Sequence, residues 1–187
     1  MHTFGSLAFA VQTGLTRLPL NADSRLLSYL PLSHVVERAL VEFGQLGTGY
    51  RVYFAESLDT FTADMQRARP TVFFSVPRLW VKFQHAVLHK MPQKKLDLLL
   101  KLPIVSGIVK KKILDTLGLD QCEMAISGAA PIPPELLRWY ARIGLKIAEG
   151  YGLTENCVLS HITTPGEDIG TVGQPYDDVE CRLDPDT

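Results

Sequence analysis

Apolar and polar positions along this chain alternate between short β-type runs and longer helical faces. Residues 26–30, "LLSYL", read as a strand. After them Val36, Leu40, Phe43 and Leu46 fall on one helical face, with Ser33 placed to cap it. "YRVYF", residues 50–54, reads as a second strand. Leu58, Phe61, Met65 and Ala68 recur at spacings of 3, 4 and 3, which predicts a second helix that Ser57 can cap. A third strand, 71–75, follows a proline that ends this helix. Residues 77–117 read as mostly helical, interrupted at Pro92 and Pro103. "CEMAIS", 122–127, is a fourth strand and "LKIAE", 145–149, a fifth. Between them Pro133 and Pro134 open a helix whose buried face is Leu136, Leu137, Tyr140 and Ile143. Residues 1–20 are helix-like from the first position, with no cap or lead-in. No internal repeat or low-complexity tract interrupts this order.

Repeated strand–helix–strand units predict an α/β fold with a largely parallel sheet flanked by helices. Ligands in such sheets sit beyond the carboxyl ends of the strands. Two glycine loops fall there: "SGAAPIP" after the fourth strand and "EGYGLTE" after the fifth. Parallel strands point one way, so both loops are expected on one edge. After His161 the composition turns to Gly, Pro, Asp and Thr. This predicts an α/β portion over 1–160 and the start of a small β-rich subdomain over 161–187, with "RLDPDT" at a hairpin tip. Both ends cut through patterned sequence, so an internal piece of a longer protein is expected.

Bulk properties narrow the classes. The chain has 187 residues, enough for one domain with a real core. At 46% hydrophobic and 21% charged residues it has a globular, soluble composition. A net charge of −1 gives no general attraction for nucleic acid. No apolar run approaches the ~20 residues of a membrane span, and no secretory signal opens the chain. Cys122, Cys157 and Cys181 are scattered, which suits a reducing cytoplasmic setting and neither a disulfide framework nor a zinc site. Lys90, Lys94, Lys95, Lys101, Lys110, Lys111 and Lys112 cluster around "LDLLLKLP". They form either a solvated helical face or a peripheral membrane contact.

The chemistry concentrates in "YGLTE", residues 151–155. Gly150 and Gly152 allow close backbone approach to a flat ligand, and Tyr151 offers an aromatic face. Thr154 can donate to a phosphate oxygen, and Glu155 is a hard oxygen ligand suited to Mg²⁺. The same residues also fit a glycine turn leading into a helix with Thr as cap and Glu in its first turn. His34 fits either a substrate contact or a helix-terminal imidazole satisfied by backbone. Glu37 and Arg38 need no more than a solvated or local helix pair. Trp80 and Phe83 have the spacing of core aromatics, with an acyl tunnel as the sharper alternative.

Five segments in order carry a resemblance. "YLPLSHVVER", "RPTVFFSVPRLW", "SGAAPIP", "YGLTE" and "GTVGQPYDDVECRL" resemble stretches of the adenylate-forming superfamily, in the form found in long-chain fatty acid CoA ligases. The resemblance covers nearly the whole chain. It implies a fragment of the N-terminal adenylation domain of an enzyme that activates a fatty acid with ATP and Mg²⁺ and transfers it to CoA. By position, Thr154 would contact the α-phosphate, Glu155 would hold Mg²⁺, and His34 would sit beside the acyl carboxylate. Gly150, Tyr151 and Gly152 would line the adenine slot, with Gly128, Ala129, Ala130 and Pro131 as its other wall. The family's Ser/Thr/Gly-rich phosphate loop, its Thr-Gly-Asp stretch and its C-terminal catalytic Lys have no counterpart in these 187 residues, so the fragment alone is expected to be inactive. Adenylation of an aryl, bile or other carboxylic acid, or a non-catalytic nucleotide-binding module, are the alternatives.

Overall fold

The computed structural model describes residues 2–182. Helix α1 (Phe4–Leu15) is followed by strand β1 (Arg25–Ser28). A π-helical segment, Glu37–Phe43, runs directly into α2 (Gly44–Thr48). Then come β2 (Arg51–Phe54), α3 (Phe61–Ala68), β3 (Val72–Ser75) and the helices α4 (Pro77–Lys90), α5 (Gln93–Leu100) and α6 (Pro103–Leu117). The chain continues through β4 (Met124–Ser127), α7 (Pro134–Arg142), β5 (Ile147–Tyr151), a 3₁₀ turn at Thr154–Asn156, β6 (His161–Ile162) and β7 (Gln174–Pro175).

The five expected strands all form, and the expected α/β architecture holds. Strands β1 and β2 pair in parallel, as do β3, β4 and β5. The Thr71 N–H donates to the Arg25 carbonyl at 2.9 Å, setting the start of β1 beside β3. The resulting order is β2-β1-β3-β4-β5-β6-β7, with β1 and β2 forming their own two-stranded ladder. Connections from β1 and β3 therefore leave in opposite directions across the sheet, which opens a crevice at their carboxyl ends. Beyond residue 160 the strand direction reverses: β6 pairs antiparallel with β5, and β7 with β6, within the same sheet. The hairpin tip expected at "RLDPDT" lies, apart from Arg182, outside the described residues.

Two cores lie on the two sides of the sheet. One packs α3 to α7 around Met65, Phe73, Trp80, Tyr140 and Ile143, each almost wholly buried. The other packs α1 and the π-helical segment against Val72, Met124, Ile126 and Ala148. Trp80 and Phe83 belong to the first core, with Trp80 edge-on to both Phe73 and Tyr140. Their spacing is thus that of core aromatics.

Several local expectations are corrected. Helix α1 does have a cap: Thr3 Oγ1 accepts from Ser6 N–H at 3.1 Å while Ser6 Oγ accepts from Thr3 N–H at 3.0 Å. Ser33 caps nothing; the imidazole of His34 takes that place. Leu46 is exposed, because the π-helical i→i+5 pattern before it adds a residue per turn and rotates the 3.6-period face out of register. Leu58 is likewise exposed and lies before α3 rather than on it. Ser57 Oγ accepts from Thr60 N–H at 3.2 Å in the turn before α3, but Thr60 is the N-cap residue and no side chain caps the helix.

Candidate functional site

Strands β4 and β5 bring the two glycine loops together. Ser127 pairs with Glu149 in the parallel register, so Gly128 and Gly150 emerge side by side. A Cβ at Gly128 would lie 3.0 Å from the Gly150 carbonyl oxygen. The next residue, Ala129, has φ 67°, a left-handed conformation that costs a non-glycine residue about 1 kcal/mol or more. Together the loops edge a cavity of about 360 Å³. Gly128, Ala129, Gly150, Tyr151, Gly152, Thr154, Glu155 and His34 all line it. Ala130 and Pro131 do not: the chain turns away after Ala129 and buries Ile132 in the core around Phe73 and Tyr140.

The two glycines of "GYG" serve different ends. A Cβ at Gly152 would lie 2.3 Å from the Val158 carbonyl oxygen, so this glycine is demanded by backbone packing. A Cβ at Gly150 would meet Ile126 Cγ2 at 3.4 Å and the Ser127 carbonyl oxygen at 3.9 Å. That is ordinary contact, so glycine there leaves space on the cavity wall.

Residues 154–156 form a 3₁₀ turn, yet Thr154 does not cap it. Asn156 Oδ1 accepts from Leu153 N–H at 2.9 Å and performs the capping. Among the described residues no hydrogen bond engages the Thr154 hydroxyl. The reading of "TE" as a helix cap is thereby set aside, and the hydroxyl is available to a ligand. Glu155 is exposed on the cavity rim. One carboxylate beside space for phosphates suits Mg²⁺, which keeps most of its waters and takes few protein ligands. Among the described residues no group of three or more His, Cys, Asp or Glu could cage a metal without such help. Ser127 Oγ, just before the Gly128 loop, is buried without a partner among those residues.

At the opposite wall, His34 Nδ1 accepts the Val36 N–H at 3.2 Å. A nitrogen that accepts carries no proton, so the neutral ring holds its proton on Nε2. One nitrogen thus caps the helix, and among the described residues no hydrogen bond engages Nε2. Glu37 lies below, almost wholly buried. It accepts from the Ser28 hydroxyl, and burial pushes its carboxyl above the usual range. Arg38 instead reaches Glu42 at 2.6 Å and the Leu32 carbonyl at 2.9 Å. The expected solvated Glu37–Arg38 pair does not form.

Sequence reasoning missed several parts of the wall. His161 pairs across the β5–β6 ladder with Tyr151, their rings 6.1 Å apart and tilted by 55°. The apolar floor comes from α1 (Ala10, Val11, Gly14) and from Leu40, Phe74 and Ile126. A weak signal for α1 existed in its small residues, which allow close approach. For His161 there was none, since it enters through an antiparallel pairing.

A family model described as "AMP-binding enzyme" matches residues 1–187. The chain belongs to this family of adenylate-forming proteins. Among curated relatives it is 31% identical over 179 residues to the acyl-CoA ligase 891, peroxisomal, of Penicillium brevicompactum, covering 82% of this chain and 25% of that protein. It is 31% identical over 172 residues to the long-chain-fatty-acid–CoA ligase 6 of Mus musculus, covering 82% of this chain and 24% of that one. The chain thus spans about a quarter of the length of these relatives. Its fold is shared with the N-terminal domain of FACL13 from Mycobacterium tuberculosis, at TM-score 0.67 and 22% identity over 94% of this chain and 40% of that one. It is shared also with o-succinylbenzoate CoA synthetase of Bacillus subtilis in complex with its acyl-adenylate intermediate, at TM-score 0.69 and 19% identity over 95% of this chain and 32% of that one.

Proposed function

We propose that the full-length protein carrying this chain is an ATP-dependent long-chain fatty acid CoA ligase, and that the cavity is its acyl-adenylation site. The observation that carries this reading is the convergence of both glycine loops and His34 on one cavity with a polar rim and an apolar floor. A carboxylate oxygen of the acid attacks the α-phosphorus of ATP, and the bond to pyrophosphate breaks. The CoA thiol then attacks the acyl carbon, loses its proton, and AMP leaves.

In this reading Gly128, Ala129, Gly150 and Tyr151 form the adenine slot, backed by His161. The Thr154 hydroxyl and the His34 Nε2–H donate to oxygens on which charge builds in the transition state. Glu155 would hold Mg²⁺, which supplies charge neutralisation on the phosphates. The apolar floor favours a hydrocarbon chain behind the carboxylate, and a lipid surface is the proposed source of that acid. Fatty-acid-dependent exchange of labelled pyrophosphate into ATP by the full-length protein tests the reading. Exchange that falls at least about 100-fold in Glu155→Gln is expected. Exchange with no carboxylic acid dependence, or unchanged in Glu155→Gln, would sink it.

A further inference from the structure

The corner between α5 and α6 presents apolar side chains to solvent. Leu98, Leu102, Ile104 and Ile108 are 63%, 46%, 84% and 65% exposed. Their order along the two helices is not random. Leu102 is exposed in the link before α6, and on α5 Lys94 and Leu98 follow one another four residues apart on an outward face. On α6, Ile104, Ile108 and Lys112 do the same. The apolar residues therefore meet at the corner, and lysines stand a turn behind them on each arm. Lys95 and Lys111 widen the two basic flanks, and Lys101 sits within the corner itself.

Acidic residues are turned away from this surface. Asp97 on α5 is held by Arg142 of α7 and by Gln93 Nε2 at 2.8 Å, and Gln93 Oε1 accepts Trp139 Nε1–H at 3.1 Å. Those bonds hold α5 with Leu96 buried and Lys94, Lys95 and Leu98 outward. Asp115 is exposed only at the far end of α6.

Other exposed apolar groups lack this signature. Phe54 and Leu58 stand beside the exposed carboxylates Glu56 and Asp59. Phe4 and Leu32 stand beside the Arg38–Glu42 ion pair. At the α5–α6 corner, by contrast, the apolar tip is bracketed by cations. Apolar tips with cationic shoulders match the charge and polarity profile of an anionic bilayer: hydrocarbon inside, phosphate at the interface.

We propose that the α5–α6 corner is a docking surface for anionic lipid bilayers, with Leu98, Leu102, Ile104 and Ile108 entering the interface and the lysines pairing with lipid phosphates. It gives the function proposed above a route to its acid, but docking does not require adenylation, so the two fail separately.

Flotation of the 187-residue chain and of the full-length protein with vesicles tests it. Vesicles are phosphatidylcholine alone or mixed with phosphatidylglycerol. Both proteins are expected to float with the mixed vesicles, less so at high salt. Lys111→Glu with Lys112→Glu should weaken partitioning at least about tenfold. Ile104→Gln with Ile108→Gln should weaken it on both vesicle types. The control Phe54→Gln with Leu58→Gln should float unchanged. Equal flotation of the lysine or isoleucine variants overturns the proposal. So does flotation of the short chain but not of the full-length protein, which would mean the corner is covered. A dimer dispersed by the isoleucine substitutions without change in flotation would assign the surface to a second copy instead. Circular dichroism melts of each variant exclude unfolding as the cause, and pyrophosphate exchange is scored separately.

Discussion

The imidazole of His34 accepts the backbone N–H of Val36 at 3.2 Å through Nδ1. This one bond sets the tautomer, because it leaves the proton of the neutral ring on Nε2, the nitrogen proposed to meet the ligand. His34→Asn keeps a side-chain acceptor for Val36 and removes the distant donor. The full-length His34→Asn protein is therefore expected to melt near wild type and to lose about 100-fold or more of acid-dependent pyrophosphate exchange. His34→Ala should lose the same activity and, in addition, about 1 kcal/mol of stability. Full exchange activity in His34→Asn would show that capping is the residue's only task.

Gly150 and Gly152 separate in the same manner. Gly152→Ala forces a Cβ against the Val158 backbone, so a loss of about 1–3 kcal/mol is expected, read as a fall of about 2–4 °C in Tm per kcal/mol. Gly150→Ala should hold its Tm and instead weaken binding of a fluorescent AMP analogue, because its methyl group enters the cavity. Thermal melts and fluorescence titration of the full-length variants decide this. A Gly150→Ala protein that binds the analogue normally would contradict the slot.

Glu37 gives a dependence on pH. Burial raises its carboxyl above the ordinary value, so the folded chain binds more protons than the unfolded chain. The contribution to stability is full below the ordinary carboxylate pKa and is lost as pH rises through the elevated value. Glu37→Gln can still accept from Ser28 and carries no charge. It should melt above wild type at about pH 8, with the difference closing towards about pH 4. A constant difference across that range would show that Glu37 titrates normally.

The cysteines should differ in reactivity. Burial pushes the Cys122 thiol up to about 12 and raises that of Cys157. Cys181 is exposed. Iodoacetamide at about pH 8 is expected to label Cys181 quickly in the native chain, and Cys122 and Cys157 only after denaturation. Peptide mass mapping reads this directly. Fast native labelling of Cys122 would mean that the end of α6 opens easily.

Much of the framework was legible because it rests on local rules. Alternation and 3.6-residue spacing marked every strand of the parallel part and the helices from α3 to α7. The prolines at 92, 103 and 134 punctuated them where the structure does. The loops "SGAAPIP" and "EGYGLTE" were placed on one edge because parallel strands leave no other choice. The errors lie where one local rule gave way to another a few residues away. Leu46 was misplaced because a π-helical segment interrupts the α-period. Thr154 was a plausible cap until Asn156 took the bond, and Ala130 and Pro131 left the wall when Ile132 turned inward.

The sequence by itself determined the class of fold, the family, and the two glycine loops that meet on one sheet edge. Steric limits on glycine and proline, and the periods of helix and strand, act over a few residues and can be read in line. Tertiary structure decided what those residues do. Which glycine is packed and which faces the cavity depends on Val158 and Ile126, brought in by the fold. That Glu37 is buried and that His161 stands beside Tyr151 depend on contacts between segments. Such contacts have no period along the chain, because they are set by which surfaces the sheet brings together.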